Sequence, residues 1–402
     1  MPSDKLAIYA NDLQDLAARD RLRRLSPRSG FDFSSNDYLG LAQSPRIKRA
    51  IAAAMEAGTP VGAGGSRLLR GNCAEHERLE AEAARFFGVD SALVFGSGYV
   101  ANFAVLATLP QADDLLVLDA LVHASTHEGA RAGRARICQF AHNDAGAAED
   151  KILAWRRDGG VGRPWIVVES LYSMDGDIAP LDDLIAVAEH HDAFLLIDEA
   201  HATGVHGPQG RGLAARFEGR DDVVVVHTCG KALGAAGALV TAHRVLRDII
   251  VNRARPFIFA TAPSPLMAVA VTEALAILQD EPQRQQKLTK LMAFAHRAIV
   301  ARFGGTWSST QIIPYIVGDN ARAMTLAAGL QRRGFDVRGI RPPTVPAGTA
   351  RLRLSLTLNV DEDAITALLD TLVELEGEQR WRSASSSRAP TPASARPYSP
   401  PA

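Results

Sequence analysis

The chain has 402 residues, 47% of them hydrophobic, enough for a large α/β domain with an attachment and incompatible with disorder throughout. Forty-four basic against forty-five acidic side chains leave a net charge of -1, without the basic excess expected of a protein that lives on nucleic acid or an anionic membrane. No apolar run approaches the ~18 residues needed to span a bilayer. Three widely spaced cysteines, Cys73, Cys138 and Cys229, form no Cys-x-x-Cys pair and argue against a disulfide framework or a structural zinc site. With no apolar core in the first eleven residues, they point to reduced thiols and a cytoplasmic protein.

In chain order, Leu6 to Leu25 carries leucines at helical spacing among charges and reads as a surface helix. A short extended segment from Phe31 leads into the turn residues up to Gly40. Helical patterns follow at Arg46 to Ala57 and Ala74 to Phe87. The centre alternates β-branched runs with helical stretches, and the runs 92–95, 115–118, 165–168, 193–197 and 223–226 read as strands. They lack polar alternation, as strands buried on both faces do, which predicts a mostly parallel sheet in an α/β layer fold. Leu181 to His190 reads as a helix between two of them. Beyond about residue 245 come long helical segments over Pro265 to Phe303, strands at Ile312 to Val317 and Arg351 to Leu358, and helices at Arg322 to Arg333 and Asp361 to Leu375. The expected organisation is an N-terminal segment (1–45), a large domain (46–248), a smaller α+β domain (249–381) and a disordered Ser/Pro/Ala-rich tail (382–402).

Ligands of open parallel sheets bind beyond the carboxyl ends of the strands, so the residues there are the candidates. Gly96-Ser-Gly98-Tyr99 leads into a helix and offers free N–H groups to a phosphate, although most such turns hold nothing. His123 follows the second strand and could stack on a flat cofactor or simply cap a helix. Ser173 lies in a polar turn. Asp198 ends a buried strand, where an ionised carboxylate needs a cation, either a pyridinium nitrogen or an ordinary Arg or Lys. Lys231, after Thr228-Cys-Gly, stands at the sheet mouth, where desolvation would make it nucleophilic; a solvated lysine in a glycine loop is the plainer alternative. Together these form the set a pyridoxal 5′-phosphate (PLP) site needs, in which a lysine forms the Schiff base and an acid keeps the pyridine nitrogen protonated. No metal site is expected.

The chain resembles the α-oxoamine synthases, a branch of the fold-type I PLP-dependent transferases, over roughly residues 5–375. The motifs that carry the resemblance are Ser34-Ser-Asn-Asp-Tyr-Leu-Gly40, Gly64-Gly-Ser-Arg67, Ser97-Gly-Tyr-Val-Ala-Asn102, Asp198-Glu-Ala-His201, Thr228-Cys-Gly-Lys231, Ile340-Arg-Pro-Pro-Thr-Val-Pro-Ala-Gly348 and Arg351-Leu-Arg-Leu354. The resemblance implies that Lys231 carries PLP, Asp198 pairs with its pyridine nitrogen, His201 bonds the ring hydroxyl and His123 stacks on the ring. Gly98, Tyr99 and Thr228 would hold the phosphate, with Ser173 beside the cofactor and Thr261 reaching a neighbouring subunit's phosphate in a homodimer. Arg353 would grip the amino-acid carboxylate, and Arg23, Arg341 and Thr344 would face the acyl substrate.

The implied reaction is the decarboxylative condensation of L-alanine with a pimeloyl thioester, on coenzyme A (pimeloyl-CoA) or on an acyl carrier protein, in biotin biosynthesis. Glycine with acetyl-CoA or succinyl-CoA is the nearest alternative, because one methyl group is worth only ~1–3 kcal/mol of discrimination. A non-catalytic PLP-fold subunit would have lost Lys231 or Asp198, and a nicotinamide enzyme would carry Gly-x-Gly-x-x-Gly after its first strand. Two departures from the family stand out: a shorter chain between Arg28 and Phe31, and Gly234-Ala-Ala-Gly237 where glycine is usually denser.

Overall fold

The computed structural model describes residues 4–386. In chain order the strands are β1 (Phe31–Asp32), β2 (Ser91–Phe95), β3 (Leu115–Asp119), β4 (Arg136–Phe140), β5 (Pro164–Glu169), β6 (Phe194–Asp198), β7 (Val223–Thr228), β8 (Ala238–Ala242), β9 (Ile312–Gly318), β10 (Phe335–Asp336), β11 (Arg338–Ile340) and β12 (Ala350–Ser355). The helices are α1 (Asp4–Ala18), α2 (Pro45–Glu56), α3 (Ala74–Phe87), α4 (Gly98–Thr108), α5 (Ala124–Ala132), α6 (Ala145–Arg157), α7 (Leu181–His190), α8 (Arg244–Arg253), α9 (Arg255–Ile258), α10 (Pro265–Asp280), α11 (Gln283–Phe303), α12 (Asn320–Arg332) and α13 (Glu362–Ser386).

Seven strands form the central sheet in the order β2-β8-β7-β6-β5-β3-β4. Every pairing is parallel except those of β8, which runs antiparallel to both β2 and β7. This is the mostly parallel α/β sheet the apolar runs predict. Successive residues feed opposite cores. Leu116, Leu118, Val167 and Val224 pack with Ala101, Val105 and Ala130 on one face. Leu115, Val117, Ile166 and Val223 pack with Ile152, Trp155 and Leu184 on the other. Burial on both faces is why these strands show no polar alternation.

The helices begin where local chemistry supplies partners for their free N–H groups. Ser97 Oγ accepts from Val100 N at 3.3 Å to open α4, and Asp319 accepts from Arg322 N at 2.8 Å to open α12. The long helical stretch 265–303 breaks at Pro282 into α10 and α11. In the last third, β11-β12-β9 form an antiparallel sheet. α10 packs on α2 and α3, whereas α11, α12 and α13 pack with this smaller sheet. The N-terminal segment belongs to both halves, since β1 pairs in parallel with β10. α1 stops at Ala18, short of the expected Leu25. α13 runs past Leu375 to Ser386, so the segment expected as a tail from residue 382 starts within it. Residues 387–402, the rest of that segment, lie outside the described residues. No helix among the described residues is long and apolar enough to cross a membrane.

Candidate active site

The sheet topology brings the candidates to one edge. β5, β6 and β7 end at Glu169, Asp198 and Thr228, and Glu169 and Asp198 are register partners on adjacent strands. α4 and α5 start just beyond β2 and β3. Lys231 follows β7 by three residues, and its Nζ lies 2.6 Å from His201 Nε2. The other ring nitrogen of His201 lies 2.6 Å from the Tyr38 hydroxyl. Burial, with the cations Lys231 and Arg353 nearby, holds His201 well below the usual imidazole range. It is therefore a neutral ring that accepts from Lys231. Burial also lowers the Lys231 amine to about 8, against the opposing pull of Asp198 and Glu169.

Asp198 is buried. Its Oδ2 accepts from Asn102 Nδ2 at 2.7 Å and its Oδ1 from Ala200 N at 2.8 Å. No guanidinium or ammonium hydrogen-bonds it among the described residues; the Lys231 amine is the cation whose charge it acts on. Asn102 also donates to Ser125 Oγ, which lies 2.8 Å from His123 Nδ1. His123 itself is the N-cap of α5, its Nδ1 accepting from Ser125 N. The capping role considered for it therefore holds, in a position where Asp198 and Lys231 both act on its charge.

Gly98 opens α4, and the first-turn N–H groups of Gly98 and Tyr99 have no helical carbonyl to bond. A Cβ at Gly98 would stand 3.4 Å from Thr228 Oγ1, so the bare α-carbon keeps the gap between Thr228 and the helix start open. The Tyr99 hydroxyl donates to Glu128. Ser173 N donates to Glu169, and Ser173 O accepts from Arg353 Nε at 2.6 Å.

Arg353 is buried, with its remaining nitrogens on Asn36 Oδ1, Ser355 Oγ and the Tyr38 hydroxyl. All its partners are neutral, which leaves a buried cation without a counter-charge. A cleft of about 1090 Å³ runs from Lys231 and Gly230 past Asn36 and Asp37 to Arg28 and Arg338.

Arg23, Arg341 and Thr344 form a second group. Arg23 Nη2 donates to Thr344 Oγ1 at 3.1 Å, and Arg341 Nη2 donates to Leu22 O at 2.8 Å. Burial and the neighbouring Arg23 charge both lower Arg341, and its Nε is buried without a partner. Thr261 lies exposed after α9, sharing no hydrogen bond with the residues around Lys231.

Asn36, Tyr38 and Asn102 sit inside the quoted motifs, but sequence reasoning gave them no role. Glu169 likewise received no role. It is buried, burial beside Asp198 raises it to about 8, and its Oε1 has no partner. The signal was available: Glu169 ends a buried strand as Asp198 does.

The residues fit PLP. A buried carboxylate with no cation hydrogen-bonded to it suits a pyridinium N–H, an open helix start suits a phosphate, and a desolvated amine suits imine formation. Comparisons with known proteins agree. The family model described as aminotransferase class I and II matches residues 28–372. The 8-amino-7-oxononanoate synthase of Geobacter sulfurreducens is 42% identical over 350 residues, 86% of this chain and 88% of that one. Its counterpart from Cupriavidus necator is 42% identical over 360 residues, covering 86% and 87%. A structure of SPT with PLP superposes with a TM-score of 0.84 at 27% identity, over 93% of this chain and 98% of that one. The 8-amino-7-oxononanoate synthase of Francisella tularensis gives a TM-score of 0.72 at 26% identity, over 88% and 99%. The cofactor of this chain is PLP.

Proposed function

The chain belongs to the fold-type I, PLP-dependent α-oxoamine synthases, and we propose that within them it condenses L-alanine with a pimeloyl thioester. The products are 8-amino-7-oxononanoate, carbon dioxide and a free thiol carrier. When bound, PLP supplies a protonated pyridine ring that takes up the electron pair left by the departing α-proton. The residues divide the remaining work. Arg353, a buried cation with only neutral partners, receives the alanine carboxylate as a planar fork. Lys231, its amine lowered to about 8 by burial, removes the α-proton and later returns one. His201 accepts from Lys231 and holds Nζ in place while unbonded to substrate. Asp198, fixed by Asn102 and Ala200 N, would hold the pyridine N–H, and His123 would cover the ring. Gly98, Tyr99 and Thr228 would hold the phosphate, with Ser173 beside the cofactor and Thr261 offered to a second subunit of a homodimer.

The observation that carries the substrate reading is the Arg23–Arg341 pair. Two neighbouring guanidiniums, one with a buried unpartnered Nε, have no hydrogen-bonded carboxylate among the described residues, and only the Asp20 charge acts in favour of Arg341. They suit an acyl chain that ends in a carboxylate, with Thr344 as a further contact. The relatives at 42% identity support the same choice. A second reading, serine with a fatty acyl thioester, is favoured by the TM-score of 0.83 to serine palmitoyltransferase of Sphingomonas wittichii against 0.72 for the Francisella enzyme. A fatty acyl chain ends in a methyl group and brings the arginine pair no carboxylate.

The test is a competition. PLP-loaded protein receives alanine, serine and glycine together with pimeloyl-, palmitoyl-, succinyl- and acetyl-CoA, and mass spectrometry reads the products. A dominant mass for 8-amino-7-oxononanoate supports the proposal. A serine–palmitoyl or glycine-derived aminoketone keeps the reaction class and rejects the substrate pair.

A further inference from the structure

α6 and α7 pack side by side on the sheet face built around Trp155 and Leu184. Glu149 lies in the second turn of α6. His190 is the last residue of α7 and His191 its C-cap. The three side chains converge at the end of the sheet opposite Lys231, since His191 precedes β6 and Asp198 closes it.

Each ligand is in a different state of readiness. His191 is held, its side chain only 9% exposed and its Nε2 2.9 Å from Glu149 Oε1. For His191 Nε2 and Glu149 Oε1 to ligate one ion, this hydrogen bond opens and Nε2 gives up its proton, the ion taking the place between the two atoms. His190 is exposed and has no hydrogen-bond partner among the described residues; its ring stands edge-on to His191 with centroids 4.7 Å apart. One donor atom from each residue can be chosen so that all three lie within 4.8 Å of one another. A tetrahedral site with bonds of ~2.05 Å needs donor spacings of about 3.3 Å. Closing that gap requires His190 to swing by a rotamer, which an exposed ring without a partner does without breaking a bond. The position also favours a cation, because the free carbonyls at the C-terminus of α7 carry the negative end of its dipole.

We infer that Glu149, His190 and His191 form a binding site for a divalent transition-metal ion of borderline softness, zinc being the type case. Two imidazoles and one carboxylate select zinc, cobalt, nickel or copper over magnesium or calcium, which take all-oxygen sets. Three protein ligands leave the fourth position to water. The ion ties the end of α7 to α6 and takes no part in the chemistry at Lys231.

The experiment uses PLP-loaded, chelator-stripped full-length protein titrated with Zn²⁺ by calorimetry, with Co²⁺ absorbance as a second probe. The expected result is one ion per chain, at least tenfold weaker binding in His190→Ala and in Glu149→Gln, and a zinc-dependent rise in Tm that both variants lose. His190→Ala changes an exposed side chain and should fold and retain the wild-type PLP absorbance and turnover. Zinc that binds His190→Ala as tightly as wild type overturns the site. So does the absence of any saturable ion, or Mg²⁺ competing on equal terms.

Discussion

Lys231 and Glu169 share one electrostatic neighbourhood and are pushed toward the same value from opposite sides. Burial lowers the amine and raises the carboxyl, each to about 8, because a low-dielectric site penalises whichever form is charged. For the amine this has a kinetic consequence. Only the unprotonated amine can remove a proton, and its population grows as the pH approaches 8 and saturates above it. Solvent exchange of the alanine α-proton, followed by NMR on the PLP-loaded protein, should therefore rise from pH 6.5 to about 8.5 and then level. Lys231→Ala should abolish that exchange and the visible absorbance of lysine-bound PLP together. A rate independent of pH over this range would remove Lys231 from the role of base.

Glu199, behind the sheet, gives the matching prediction for stability. Burial raises it to about 8, its Oε1 accepts from Ala214 N at 2.6 Å, and its Oε2 has no partner. A carboxyl with a folded value near 8 and an unfolded value near 4.5 holds its proton longer in the folded state. Between those values the fold binds more protons than the unfolded chain, so its stability falls as the pH rises. Glu199→Gln keeps the shape of the neutral acid and cannot ionise. Relative to this variant, the wild type should lose on the order of 3–4 kcal/mol between pH 5 and pH 8. Urea melts of both proteins at several pH values measure the difference, and parallel curves would show that Glu199 does not titrate in this window.

At the scale of elements, the loop that carries Lys231 is held by its own backbone and by the segment 34–42. Cys229 N donates to Gly237 O, Gly234 N to Lys231 O, and Ala235 N to Cys229 O, all at 2.9–3.0 Å. Gly234 has φ +63°, and a Cβ there would stand 2.4 Å from Ala42 N and from the carbonyl carbon of Leu41. Those are backbone atoms and cannot yield cheaply. Of the run Gly234-Ala-Ala-Gly237, then, the first glycine cannot be spared even though alanines fill the middle. Gly234→Ala should cost about 2–4 kcal/mol through left-handed strain and overpacking, read as a lower Tm and faster loss of PLP on dilution. An unchanged Tm would mean that the two segments are not in contact.

The same scale shows where the sequence was legible. The five apolar runs became strands because burial on both faces writes itself into composition. β4, Arg136–Phe140, was missed because it is an edge strand with Arg136, Ile137 and Gln139 exposed, so its residues carry no continuous apolar run. β8 was missed because Ala238-Leu-Val-Thr-Ala242 is short and closes on alanine, and nothing local announces that it runs antiparallel between β2 and β7. β1 and β10 are two-residue strands whose pairing spans some 300 residues of chain, a contact that no window of sequence contains. The candidate residues after β2, β3, β6 and β7 were legible because a parallel sheet gathers its strand ends. The Lys231–His201–Tyr38–Asn36 connection was not, because it links three segments far apart in the chain.

Taken whole, the molecule brings the groups around Lys231 and the Arg23–Arg341 pair together from different supports. Lys231, Asp198, His201 and His123 follow strands of the central sheet, whereas Arg353 comes from β12 and Tyr38 from the N-terminal segment. Arg341 and Thr344 sit in the connection between β11 and β12, and the N-terminal arm delivers Arg23 and the Leu22 carbonyl that holds Arg341. The arm contributes little to the core: Leu6, Ile8, Tyr9, Leu13 and Leu25 are all exposed, whereas burial becomes complete only from Phe33 and Tyr38 onward. Removing residues 1–24 should therefore leave the fold, PLP binding and alanine α-proton exchange within about twofold of wild type. It should raise the KM for pimeloyl-CoA by at least tenfold, about 1.4 kcal/mol, since it deletes one guanidinium and frees the other from its carbonyl. The single substitution Arg23→Gln should reproduce most of that rise, and neither change should affect the KM for alanine, which depends on Arg353. The split is what makes the reading testable. If truncation abolishes exchange as well as condensation, the arm is part of the fold. If pimeloyl-CoA is used as well without the arm as with it, the arginine pair does not recognise the acyl chain, and the case for a dicarboxylic substrate falls back on the sequence relatives alone.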